Sequence, residues 1–500
     1  MCHPEARRTG FSRQGFWDDV GVFPPLTRLL TPHRIGVWTL AWVSAVTYAV
    51  LGLVRLGTFR ATVFDLVIVD QTVRGYAALG PPYAPSSGVQ KGYGLDFLQL
   101  ADHFSPIYAL LAPFYAIHDG PQTLIICQAV LFAAAIPFLW SYTRRRLGVV
   151  AAYLVSGAYA VSFPVAQAVN FDVHEVMFVP VLSAIMIERF DRGRRLPAYL
   201  AAFGLLLVKE DMGLMLIGFG AALALTRRRL DGAIVATAGL GALVLVRGVL
   251  IPWAGGSHDT HWRYDHLGES VPAALAKLAG DPLGTFHLVF GDTGKIDLLL
   301  LLCWLTLFLC LFSPLALAAA PMVLERLVSD YSLWWSADYH YNAFVVVILF
   351  CAGVDGAARL ARRVATAEAR RTAVVAWAVA VAVVGLTQLP RFAFDQLASP
   401  DFYRPHDRAA AAYQAMGVIP DGVVVEAANH LGPMLSHRTT VLLWEPAPRG
   451  APWVVADLGQ LAWPWGSVDD AKKAVEERRA AGYMVLFERD GFVVLHKPQG

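Results

Sequence analysis

The chain reads as a polytopic α-helical membrane protein with a small extracytoplasmic α/β domain at its C-terminal end, and three observations predict this fold class. Of its 500 residues, 56% are hydrophobic and 16% charged, against about 25% charged in soluble domains, and the mean hydropathy is +0.49. Apolar runs recur from residue 35 to residue 389, many close to the ~20 residues needed to cross a ~30 Å bilayer core. From about residue 398 the composition turns polar and alternating, as in a domain that faces water.

The elements follow in order. Residues 1–34 form a basic cytoplasmic segment with Arg7, Arg8, Arg13, Arg28 and Arg34, and the span that follows is expected to act as an uncleaved anchor. Retention of Arg and Lys on the cytoplasmic side puts the N-terminus inside. A transmembrane domain then covers 35–389, with a first outer loop at 58–120. Within that loop Phe104 to His118 is apolar but short. If it crossed together with 121–142, then Arg144, Arg145 and Arg146 would lie outside, so it is read as a re-entrant or juxtamembrane helix on the outer side.

Residues 148–167 and 176–190 cross next. The stretch 197–225 has arginines at both ends and Lys209, Glu210 and Asp211 in its middle. One straight helix would strand three charges in the bilayer at about 2.5–3.5 kcal/mol each. Two short helices meeting at Lys-Glu-Asp avoid this and place the charged tip in a hydrated cavity below the outer surface. Residues 232–251 cross outward, a loop runs to about 294, and 296–312, 314–328, 342–357 and 372–389 complete about eleven crossings. The C-terminal domain, 398–500, is then extracytoplasmic. GVVVEAA, TTVLLW and PWVVAD read as strands, SVDDAKKAVEERRAAG as a Ser-capped helix, and YMVLFERDGFVVLHK as a hairpin around Asp490-Gly491.

The net charge of +2 is too small to suggest a nucleic-acid partner. Cys2 stands at the terminus, and Cys127, Cys303, Cys310 and Cys351 lie inside apolar runs as small hydrophobes. On the expected topology an unusual set of polar groups gathers on the outer side. It comprises Asp65, Asp70, Gln71, Asp102, His103, His174, Glu175, Lys209, Glu210, Arg247, His340 and Tyr341. Ionisable groups within spans mark functional sites by default. Each also has a plainer reading: Asp70 and His103 as caps, Lys209–Glu210 as a structural ion pair, Arg247 as a snorkelling side chain. The histidines of HDTHWRYDH (His258, His261, His266) have the spacing of a metal site and equally that of a solvated loop, and no metal ligand is assigned.

At FDLVIVDQ (64–71), DHFSPIYALLAPFYAI (102–117), FDVHEV (171–176), LLLVKED (205–211) and HY (340–341) the chain resembles a bacterial membrane-protein family, domain of unknown function 2079. The resemblance runs through nearly the whole chain. That family is similar to the GT-C glycosyltransferases of the plasma membrane, which take a polyprenyl-phosphate-linked sugar as donor at the outer face. The resemblance implies that Asp65, just after the first span, is the catalytic residue, acting as general base. The remaining polar groups would bind substrate, with Lys209 and Arg247 holding phosphate. It implies no certain cofactor, because the superfamily has members with and without a divalent metal. Two other readings stand beside the transferase: a transporter of an envelope precursor or small solute, and a non-catalytic scaffold with an outer binding domain.

Overall fold

The computed structural model describes residues 32–257 and 261–498. Arg7, Arg8, Arg13, Arg28, Cys2 and His258 lie outside the described residues. The chain is a predominantly helical, multi-pass membrane protein with one small sheet near its C-terminal end. Among the described residues five helices are long and apolar enough to cross a membrane: Pro32–Gly57, Pro121–Leu147, Val149–Asn170, Arg229–Trp253 and Ala367–Gln388. Trp42, Val43 and Val46 are exposed on the first of these, an apolar exterior that suits lipid as the surrounding solvent.

Shorter helices fill the space between. Arg195–Leu206 and Met212–Leu225 have 12 and 14 residues, which is about 18 and 21 Å at ~1.5 Å per residue. The expected interruption at Lys209-Glu210-Asp211 is present, and residues 207–211 form the tip between these two arms. The second arm packs against Arg229–Leu245 through glycines. A Cβ on Gly213 would come within 2.3 Å of the Gly239 carbonyl oxygen, and one on Gly220 within 2.5 Å of that of Gly232. Without a hydrophobic drive between helices in lipid, such close backbone approach is what holds them together. It also brings the tip beside Arg247, in the π-helical turn Val246–Leu250 that continues the partner helix.

The stretch expected as a loop up to 294 instead carries two helices, Val271–Gly280 and Pro282–Phe290. Ser270 and Asp281 cap them by accepting from the amides of Ala273 and Gly284, and a proline stands in the first turn of each. Leu275, Leu283 and Phe286 remain exposed, so these helices lie along the surface, with Val289 of the second reaching the core. The short stretch 104–118 forms two brief helical turns, Pro106–Leu111 and Ala112–Tyr115. The helix Thr293–Trp304 ends where Leu307 and Phe308 take left-handed φ values of 52° and 63°, which an α-helix of L-residues cannot carry.

Past Ala367–Gln388 the chain builds a five-stranded mixed sheet. Its strands are β1 (Val424–Ala427), β2 (Thr440–Leu443), β3 (Trp453–Asp457), β4 (Met484–Arg489) and β5 (Phe492–His496), in the order β2-β1-β3-β5-β4. β1 pairs in parallel with β2 and β3, whereas β5 runs antiparallel to β3 and β4. The helix Val468–Ala480 is capped by Ser467 and covers one face, burying Ala471 and Val475. The helix Ala409–Gly417 packs on the other face through Ala411, Ala412 and Ala415 without completing its cover. Val63 and Val67 of the first loop join Leu431, Leu435 and Val441 in one apolar cluster. The domain is seated there closely enough that a Cβ on Gly432 would come within 2.1 Å of the Val63 side chain.

Candidate functional site

The first loop, the 171–175 segment, the 207–211 tip and the segments around 261–264 and 322–344 enclose a polar cavity of about 340 Å³. The local sequence explains how each side chain reaches it. Asp65 sits in the π-helical turn Val63–Val67, whose wider winding redirects side chains relative to an α-turn. The turn is fixed at its start: the amide of Val63 donates to the carbonyl and side-chain oxygens of Asn429, each at 2.9 Å. The amide of Thr62 donates to Asp172 Oδ2 at 3.0 Å, and the Thr62 hydroxyl contacts the same oxygen.

Asp65 Oδ1 lies 3.1 Å from His174 Nε2. The His174 ring stacks on His340 with centroids 3.7 Å apart, and Phe171 lies beside both rings, 5.4 Å from His174 and 5.7 Å from His340. Lys209 Nζ meets Glu175 Oε1 at 3.0 Å, and the Tyr108 hydroxyl donates to the other Glu175 oxygen at 3.2 Å. Arg247 pairs with Asp211. His103 Nδ1 lies 2.8 Å from Glu210 Oε1, and the Phe104 amide donates to Glu210 Oε2 at 3.1 Å. Buried ring nitrogens at this site, His174 Nδ1 and His340 Nδ1, have no hydrogen-bond partner in the structure. Unsatisfied buried polar atoms call for an explanation such as a ligand or water.

Most of the sequence-predicted group therefore converges. Asp65, Asp102, His103, His174, Glu175, Lys209, Glu210, Arg247, His340 and Tyr341 all line the cavity. Asp70 and Gln71 stand apart from it. Asp70 is fully buried, accepting from the Tyr115 hydroxyl at 2.6 Å and from Arg74 at 3.0 Å. A carboxylate so satisfied one helical turn from its arginine holds the loop together. Gln71 donates to the Val441 carbonyl at 3.1 Å and ties the loop to β2.

Other residues at the cavity were not singled out as site residues from the sequence. Lys91, Arg263, Tyr264, Glu325, Arg326 and His261 all reach it. The adjacent charged pair Glu325-Arg326, at the end of an otherwise apolar helix, was the available signal for two of them. Of the histidine-rich segment, His261 turns in to Asp102 at 2.7 Å, while His266 faces Asp330 at 3.9 Å.

Two carboxylates beside the cavity are displaced in opposite directions. Burial pushes Asp172 up to about 6, against the pull of the Arg55 charge and the Thr62 hydrogen bond. Burial works to raise Asp102 as well, but the His261 hydrogen bond and the charges of His103 and Lys91 hold it well below the usual carboxylate range. The arrangement thus offers an acid–imidazole pair, Asp65–His174, facing two tethered cations, Lys209 and Arg247. Together these groups can take up a proton and hold an anion in the same chamber.

No curated protein matches the chain. Among solved structures it is similar to that of ArnT from Cupriavidus metallidurans bound to undecaprenyl phosphate. The identity is 12% and the TM-score 0.49, over 93% of this chain and 99% of that one. It is also similar to the archaeal oligosaccharyltransferase AglB from Archaeoglobus fulgidus in complex with an inhibitory peptide and a dolichol-phosphate, at 11% identity and a TM-score of 0.40, over 92% and 74% of the two chains. The model of the predicted membrane protein family DUF2079 matches residues 55–494, and the chain belongs to that family.

Proposed function

We propose that this protein is a membrane glycosyltransferase that draws its sugar from a polyprenyl-phosphate-linked donor. The observation that carries the reading is the meeting, in one cavity, of the Asp65–His174 pair with Lys209 and Arg247. In this mechanism Asp65 accepts the proton of an acceptor hydroxyl, and the resulting oxygen nucleophile attacks the anomeric carbon. The bond from that carbon to the phosphate oxygen breaks, and the polyprenyl phosphate leaves with the electron pair. A single displacement of this kind inverts the anomeric centre.

Lys209 as a point charge and Arg247 through its planar fork stabilise the departing phosphate. His174 holds the Asp65 carboxylate in orientation, and His340 offers a nitrogen to a sugar hydroxyl. The topology that belongs to this reading has about eleven crossings, a cytoplasmic N-terminus and an extracytoplasmic C-terminal domain in a bacterial plasma membrane. The cavity then opens to the outer face, where an envelope acceptor meets the donor.

The test is incorporation of label from radiolabelled polyprenyl-phosphate sugars into cell-envelope fractions, with wild type and Asp65→Asn compared at equal protein level. A base of this type contributes about 10²–10⁴-fold, so the variant should lose label by that factor while still binding donor. Equal labelling by both proteins across the common donors would remove Asp65 from its role and favour transport.

A further inference from the structure

We propose that Asp102, His103 and His261 form a binding site for a zinc-class divalent ion on the wall of the cavity. One ligand atom from each residue lies within 4.8 Å of the others, close enough for one ion to gather all three by small side-chain rotations. Two imidazole nitrogens and one carboxylate oxygen are a donor set that suits Zn²⁺ and its neighbours over Mg²⁺ or Ca²⁺. Three protein ligands leave at least one coordination position open, as in zinc sites that bind a further ligand.

The surroundings support the assignment independently of the spacing. His103 presents Nδ1 to Glu210 at 2.8 Å, which leaves Nε2 as its free ring nitrogen. A carboxylate behind a histidine is the outer-shell arrangement that orients metal-binding imidazoles. Glu210 is itself fixed by the Phe104 amide. Asp102 is held on its other oxygen, because the Ser87 hydroxyl donates to Oδ2 at 2.7 Å and leaves Oδ1 turned towards His261. The rings of His103 and His261 lie parallel with centroids 4.0 Å apart, so both imidazoles stand on the same side of Asp102.

A residue from a distant part of the chain is brought in by close backbone packing: a Cβ on Gly256 would come within 2.0 Å of the Ala101 carbonyl oxygen. The Lys91 ammonium touches Asp102 Oδ1, the same oxygen that meets His261. A positive charge therefore already rests where the ion would bind, and Lys91, half-exposed on a flexible stem, is free to give way to it. The site stands whether or not the protein transfers sugars, since metal binding is read without turnover.

The experiment uses the full-length protein in lipid nanodiscs, stripped with a chelator and titrated with Zn²⁺. Wild type should take up one equivalent saturably. His261→Ala should weaken that uptake by at least about tenfold. Lys91→Ala keeps all three ligands and removes the competing cation, so it should bind the ion more tightly than wild type. Absence of saturable uptake by wild type, or wild-type affinity in a folded His261→Ala, would overturn the site. Should His261→Ala not fold, Lys91→Ala decides: tighter binding supports the assignment, and unchanged or weaker binding overturns it.

Discussion

Ionisable side chains are buried at both ends of the helical bundle, and the two clusters are built differently. The long helix Pro121–Leu147 runs between them. Near its start Gln128 donates to the Asp172 carbonyl, and its last turn carries Arg144, Arg145 and Arg146. At that far end three carboxylates are each shared among several cations, while Asp231 takes Arg195 and the Tyr199 hydroxyl. Glu188 takes Arg145, Arg189 and Arg192, Asp191 takes Arg145 and Arg146, and Asp355 takes Arg146, Arg359 and the Ser313 hydroxyl. The space enclosed beside them is about 140 Å³.

At the end beneath the C-terminal domain most acids take a single partner, Asp102 with Lys91 and His261 being the exception. Glu175 takes Lys209, Asp211 takes Arg247, Asp65 takes His174, and the cavity is more than twice as large. A cluster whose charges are saturated by one another is finished when the protein folds. One whose cations each hold a single acid, around open volume, keeps electrostatic capacity for a ligand.

The sharpest way to break this contrast is Asp355→Ala. It leaves Arg359 without this partner and Arg146 with Asp191 alone; because both arginines are part-exposed, the cost should fall at the low end of the range for breaking a buried pair, about 3 kcal/mol. Unfolding of the purified variant in detergent should show that loss with donor binding intact per folded molecule. A loss below about 1 kcal/mol would mean that the far cluster is no more structural than the cavity.

The next test is titration of the cavity's rim. Asp172 has its pKa raised by burial to about 6. A group raised on folding contributes stability that is complete below its unfolded pKa and lost as pH rises through the folded value. Wild type should therefore lose about 3 kcal/mol between roughly pH 4 and pH 7, and Asp172→Asn should flatten that part of the profile. An unchanged slope in the variant assigns the titration to another group.

The smallest effect on stability comes from neutralising a cavity pair as a unit. Lys209→Met with Glu175→Gln leaves no charge uncompensated and keeps an acceptor for the Tyr108 hydroxyl. Replacing both members of a buried pair is often close to neutral, so unfolding should move by no more than about 1 kcal/mol while transfer is lost. Retained transfer would show that this pair belongs with the structural cluster after all.

How far the site was legible depended on whether its chemistry conflicted with its local sequence. Lys209, Glu210 and Asp211 stood out because three charges interrupt an apolar run that could not otherwise be tolerated. Asp65 and His174 were legible through family motifs, and their 3.1 Å contact joins segments far apart in the chain. Asp70 shared a motif with Asp65 but has its arginine one helical turn away and a tyrosine from 115 over it, which only packing reveals. Lys91 was hidden for the opposite reason, lying in a polar stretch where a charge conflicts with nothing, and for the same reason the spacing of His261 in HDTHWRYDH could not be told from that of a solvated loop. The two capped helices in the 252–294 segment were obscured by proline and glycine, which punctuate loops as readily as they begin helices.

The hydrogen bonds between Val63 and Asn429 join residues 366 positions apart, and this sets the order in which the cavity is completed. A ribosome adding about 5–20 residues per second needs on the order of 20–70 seconds to make the second partner after the first has emerged. Through that interval the turn beside Asp65 lacks its anchor, and Val63 and Val67 lack the apolar face they are buried against. The Asp65 end of the first loop is thus assembled last, when the far end of the chain closes over it. A chain that stops before Asn429 would lack both hydrogen bonds to Val63, and its first loop would stay without that anchor.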